Sequence, residues 1–182
     1  MDTIWIILGV IGVIALFIVF TYNGLISLKN RVNEAESDID VQLKRRYELI
    51  PNLVETVKGY AKHEKELLEK ITSERSNLIS GSTADKIKAS NDIASSLKSV
   101  FAVAENYPDL KANQNFLQLQ SDLTDTQDKI MAAQRFYNAN VRDFNTKLQV
   151  FPTNLYAKSL GFTDKTFIEI AETEKENVKV EF

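Results

Sequence analysis

Chemistry in this chain would need histidine beside carboxylates, a nucleophile beside a base, or a cluster of cations with an anion to hold. His63, in "KHEKE", is the sole histidine of 182 residues. A di-metal carboxylate site between long helices takes a Glu from each of two helices and a Glu-x-x-His pair from each of two others. The residue three before His63 is Tyr60, so no such pair precedes it. His63 reads as a surface histidine on a charged helix face. A carboxylate-only magnesium or calcium site stays open as an alternative, without a loop signature to point to it. The absence of cysteine removes disulfides, thiolate zinc sites, a cysteine nucleophile and a lipid-modified N-terminal cysteine. No serine stands in a nucleophile-elbow motif. The expectation is therefore no catalytic, cofactor-binding or metal-ligating residue, no cofactor, and no enzyme.

Cations remain. Lys44, Arg45 and Arg46 open the stretch "KRRYELIPNLVETVKGYAKHE". Consecutive helical residues point about 100° apart, so three in a row cannot share a face and at least one must lie against neighbouring helices. Arg's planar fork suits a partly buried pair, with Asp40, Glu48 or an asparagine on a neighbouring helix as acceptor. Contact with a partner or another anion is the competing reading. Lipid contact is disfavoured by distance, since Arg45 lies about 35 Å along a straight helix from Tyr22, several Debye lengths at physiological salt. A second polar set sits in "RFYNANVRDFN", where Arg135, Asn138, Arg142 and Asn145 share a long helix. Asparagine is a poor helix former, so its repetition suggests side-chain hydrogen bonds that set helix register, or a binding groove. The candidate partner-contact residues or bundle polar network are thus Asp40, Arg45, Arg46, Arg135, Asn138, Arg142 and Asn145.

These residues must be positioned by helices. Gly (6) and Pro (3) are too scarce for a many-stranded sandwich or barrel, and a net charge of −3 does not suggest a nucleic-acid partner. Residues 4–20, "IWIILGVIGVIALFIVF", contain no charge, and with Thr21 and Tyr22 they span roughly the ~30 Å core of a bilayer. Trp5 and Tyr22 mark its ends, where amphipathic rings favour the interface. Only Asp2 is charged ahead of the run and no small-x-small site follows, which favours an uncleaved anchor over a signal peptide. Lys29 and Arg31 follow the span and no cation precedes it, so the positive-inside rule predicts an external N-terminus and a cytoplasmic domain.

Beyond the anchor, Leu28, Val32, Ala35, Ile39, Leu43, Tyr47 and Ile50 form a stripe at spacings of three and four. Pro51 is expected to end that helix and open a second after a reversal of direction, because proline disfavours the helical conformation just before it and suits a first turn. The second stripe runs from Val54 to Leu78, with Glu64 and Arg75 as polar interruptions, and "SGST" closes it with Ser82 or Thr83 as the next N-cap. A third stripe reaches Ala104 before Pro108. A fourth fills the Gly- and Pro-free stretch from Asn113 to Val150. "TNLYAKSLGF" reads as a short helix stopped at Gly161, with Phe162 plugging a bundle end. The predicted fold is all-α: an anchor over 1–22, an elongated antiparallel bundle of three to four long helices over 23–162, and a loosely held acidic tail over 163–182.

The blocks "YNGL" at 22–25, "DIDVQLKRRYELIPNLVETVKGYAKHE" at 38–64, "AENYPDLKANQNFLQLQ" at 104–120 and "RFYNANVRDFNTKLQVFPTNLYAKSLGF" at 135–162 resemble the LemA family of bacterial membrane-anchored helical proteins. The resemblance covers nearly the whole chain after the anchor. It implies a membrane helix, a soluble bundle and no established enzymatic activity. Lipoprotein-like relatives carry a cysteine just before the "YN" position; here attachment must be by the hydrophobic helix, with lipid contacted through residues 4–22. Family members resemble components found beside membrane proteases and envelope or organelle-assembly proteins. The expected function is a non-catalytic membrane-tethered interaction or scaffold protein with a protein partner. The alternative is a membrane-organising protein that forms homo-oligomers.

Overall fold

The computed structural model describes residues 2–61 and 64–169, so His63 and the tail from 170 onward lie outside the described residues. The elements are α1 (Asp2–Lys58), α2 (Lys65–Glu74), a 3-10 turn (Arg75–Leu78), α3 (Thr83–Ala104), α4 (Pro108–Lys111), α5 (Gln114–Gln149) and a second 3-10 turn (Thr153–Leu155). No strand occurs among the described residues. The all-α expectation holds. The described residues fall into two compact units, one from 2–35 with 136–167, the other from 36–135 with 168–169.

The second unit runs up, down, up and down. Glu36, Asp40 and Arg46 of α1 meet Thr83, Lys86 and Ser90 in the same order, so α1 and α3 are parallel. Asn113, just before α5, donates to the Tyr60 hydroxyl while Arg45 reaches Asp125, so α5 runs antiparallel to α1. Between them α2 and its 3-10 turn come back along α3. The predicted stripes supply most of the core: Ile39, Leu43, Ile50, Val57, Ile71, Leu78, Ile87, Leu97 and Ile130 are buried, while in α3 Ile93 and Val100 are buried where the expected Ala94 and Phe101 are half-buried.

Pro51 does not reverse the chain. α1 continues through it to Lys58, and the turn into α2 comes after Gly59. The apolar seam crosses the proline unbroken, with Ile50, Leu53, Val54 and Val57 all buried, so a reversal at Ile50–Asn52 would have dispersed one continuous face. A mid-helix proline lacks the N–H that would bond the carbonyl four residues back, here Tyr47. That carbonyl is not orphaned, because Arg75 Nε donates to Tyr47 O at 2.8 Å. The same guanidinium lies 3.6 Å from the centre of the Tyr47 ring. Arg75, an interruption in the sequence pattern, is the substitute for the missing hydrogen bond.

At the next boundary Gly81 adopts φ +89°, a left-handed conformation that glycine tolerates, and a Cβ there would press on Asp85 at 3.2 Å. Ser82 then caps α3 in a reciprocal capping box with Asp85. Hydrogen bonds from the Ser82 side chain and backbone hold the Asp85 carboxyl below its ordinary value of 3.8. Because the folded form has the lower value, its contribution is present above about pH 4 and is lost as pH falls through the depressed value. Ser82→Ala is expected to cost about 1 kcal/mol. In NMR spectra the amides of Ser82 and Asp85 should lose protection on acidification in the natural chain, and already at neutral pH in the variant.

In the first unit, Phe144 and Phe162 stack edge-on at 6.4 Å and Phe162 meets Tyr22 at 5.6 Å. The stretch 153–161 is a 3-10 turn followed by hydrogen-bonded turns rather than a short α-helix, and it stops at Gly161 with φ +81° as expected. The chain after it is not loose at its start. Asn145 on α5 holds Lys165 by both backbone groups, donating to its O at 2.8 Å and accepting from its N at 2.9 Å, and Tyr137 reaches Thr166 O. A side-chain amide offers a donor and an acceptor together, which is what the unpaired N–H and C=O of one residue need.

Candidate functional site

Of the three adjacent cations, Lys44 is exposed, Arg45 is half-buried and Arg46 is buried at 1% exposure. Their 100° steps place them so. Arg45 spans to α5, 2.7 Å from Asp125 and 3.6 Å from Asp122. Hydrogen bonds from Lys129 and then Arg45 hold the Asp125 carboxyl below its ordinary range. Asp40 accepts from Lys86 at 2.8 Å rather than from either arginine. The acceptors for the arginines thus come from other helices, not from Asp40 or Glu48.

Arg46 is different in kind. Its Nη1 donates to Ser90 O at 2.9 Å and to Ser90 Oγ at 2.5 Å, and its Nη2 donates to Gln127 Oε1. All these acceptors are neutral, and no carboxylate among the described residues lies within ion-pair distance. Its Nε is buried without a hydrogen-bond partner. Burial pushes the guanidinium down to about 10, which still leaves it protonated at neutral pH. A desolvated charge held only by neutral dipoles is costly.

That charge borders a groove of about 480 Å³ between α3 and α5. Leu97, Phe101, Leu123 and Met131 give it apolar walls, while Lys98 and Gln134 add polar groups. The arrangement suits an anion with apolar neighbours. Nothing in it activates a nucleophile, and no group of three or more His, Cys, Asp or Glu side chains among the described residues could hold a metal. Arg46→Met keeps the volume without the charge and is expected to leave the thermal midpoint of the unit unchanged or raised, as replacement of buried ionic groups often does. A large fall would assign Arg46 a purely architectural role.

The other predicted residues are divided. Arg135 belongs with Asp40, Arg45 and Arg46 in the second unit; Asn138, Arg142 and Asn145 belong to the first. Arg135 and Asn138 each have a partner. Arg142 pairs with its neighbour Asp143 at 3.0 Å on the surface. Sequence reasoning missed Ser90, Gln127, Asp122 and Asp125, whose polar side chains carry no local sign of a distant arginine. Arg75 could have been suspected, since it falls between Ile71 and Leu78 at stripe spacing.

Residues 35–182 match the sequence profile of the LemA family. Protein LemA of Metamycoplasma hominis is 32% identical over 171 residues, covering 92% of this chain and 78% of the relative. The chain belongs to the LemA family. More distant likeness extends to Magnetosome protein MamQ 2 of Paramagnetospirillum magneticum, 20% identical over 86% of this chain and 68% of that protein. Magnetosome protein MamQ of Magnetospirillum gryphiswaldense is 19% identical over 78% of this chain and 62% of that protein. None of these names denotes an enzyme. Among the described residues of this LemA-family chain, one helix, α1, is long and apolar enough to cross a membrane, and none of its apolar stretch is buried. A single-pass anchor is what such a helix fits.

Proposed function

We propose that this chain is a non-catalytic, membrane-tethered interaction protein whose partner docks in the groove between α3 and α5. The observation that carries the reading is Arg46, a buried cation with no carboxylate among the described residues within ion-pair distance, beside an apolar groove. An incoming Asp or Glu would supply the missing charge, and the apolar walls would receive the side chains around it. The occupant is an amphipathic helix of a membrane or envelope protein, a membrane protease included, with a carboxylate set among apolar residues. Lys29 and Arg31 support a cytoplasmic bundle and an external N-terminus. Because the chain has no cysteine, a single one at Asp38 reports the side: an impermeant maleimide should label it only after the membrane is opened.

Photo-crosslinking residues at Ser95 and Met131 in the full chain, in native membranes, test the docking. One discrete protein adduct is expected, absent from a probe at Lys44 and lost with Arg46→Met. The crosslinked segment should contain an Asp or Glu whose amide variant abolishes the adduct. Adducts with lipid alone, or indifference to Arg46→Met, overturn the reading. A second reading, lateral self-assembly that organises the membrane, draws on the magnetosome names of the distant relatives. Solubilised protein that stays monomeric at all concentrations counts against it.

A further inference from the structure

The first unit carries a feature that partner docking does not use. The stretch from Val150 to Gly161 exposes Phe151 at 79% and Leu155 at 74%, with Val150 and Leu160 also exposed. An apolar patch left in water usually has an occupant. The stretch is compact rather than trailing: Asn154 N donates to Val150 O, Ala157 N to Thr153 O, and Phe162 N to Ala157 O. Its end is fixed, since the Phe162 ring sits edge-on to Tyr22 at 5.6 Å, and Tyr22 is the last residue of the apolar span. Phe144 of α5, 6.4 Å from the Phe162 ring, packs against that same end. The exposed tips therefore lie beside the point where the span ends.

We infer that the loop 150–161 is a second membrane contact, which inserts Phe151 and Leu155 into the headgroup and upper acyl region of the bilayer that α1 enters. Three features select lipid over a protein. The residue that closes the loop, Phe162, packs on Tyr22 at the end of the span. Between Lys147 and Phe162 there is no Asp or Glu, and the cations Lys147 and Lys158 are exposed, a composition suited to an anionic interface. Large rings and aliphatic tips at the edge of a span are also at home in the interfacial layer. Such a contact would fix the rotation of α1 about its axis, because a helix held at its end by a side loop cannot turn freely.

The inference rests on α1 spanning the membrane, so its test carries an internal control. The full chain is reconstituted in vesicles of phosphatidylcholine with phosphatidylglycerol. An environment-sensitive fluorophore is placed on a single cysteine at Phe151, Leu155, Val13 or Gln118, and nitroxide lipids labelled at the headgroup or deep in the acyl chain serve as quenchers. The Phe151 and Leu155 probes should lose more fluorescence to the headgroup nitroxide than to the deep one, Val13 the reverse, and Gln118 should lose none to either. Probes at both loop positions that escape quenching while Val13 is quenched would overturn the inference and leave the span intact. Shielding of the loop probes from water without lipid quenching would mean that protein covers them, and overturns it as well. An unquenched Val13 would instead refute the span.

Discussion

Arg75→Ala is expected to destabilise the middle of α1 by about 2–4 kcal/mol, and to do so far less in a chain that also carries Pro51→Ala. The first figure combines a hydrogen bond from a charged donor, about 1.5–3 kcal/mol, with a partly exposed cation–π contact of about 0.5–1 kcal/mol. Pro51 removes the N–H that would have met Tyr47 O, and Arg75 Nε takes its place at 2.8 Å. Alanine at 51 restores the helix's own donor, so only the ring contact, about 0.5–1 kcal/mol, remains for Arg75 to lose. Hydrogen exchange of the α1 amides near Tyr47 in the four chains of this double-mutant cycle measures the coupling. Equal costs in both backgrounds would show that the two residues act independently. Arg75→Lys should behave nearly as alanine, since an ammonium lacks the planar fork that both stacks on the ring and donates to the carbonyl.

Phe144→Ala should have the largest effect on the first unit, about 3–5 kcal/mol, the usual cost of removing a fully buried aromatic ring. Phe144 is 1% exposed and faces the Phe162 ring. With it gone, Phe162 loses one of two aromatic neighbours and the 150–161 loop loses the anchor at its end. The amides of Val141, Leu148 and Phe162 should exchange faster by orders of magnitude. Those of Ile93 and Ile130, in the second unit, should keep their protection if the two units open separately. Uniform loss across both would mean that they unfold as one.

The contrast between these residues shows which features local sequence determines. The stripes from Leu28 to Ile50, Ile87 to Ala104 and Phe116 to Leu148 were readable because a helix repeats every 3.6 residues and a buried face must repeat with it. The cap at Ser82, the stop at Gly161 and the 17-residue apolar run were readable for the same reason, since each depends on residues within a turn or on composition alone. The rule that adjacent cations diverge by about 100° showed that one of Lys44, Arg45 and Arg46 must turn inward. It could not say which, or onto what.

Tertiary structure decided the rest. The fate of Pro51 turned on Arg75, twenty-eight residues beyond the carbonyl it serves, and a proline read by itself favours a break. Arg46 became a buried charge held by neutral acceptors because α3 and α5 present Ser90 and Gln127 there, while the carboxylates of Asp122 and Asp125 go to Arg45. The start of the tail is held because Asn145 matches both backbone groups of one residue, Lys165. Periodicity is a property of one helix and survives in its sequence. A hydrogen bond between helices belongs to two distant segments, and only their packing brings its donor to its acceptor.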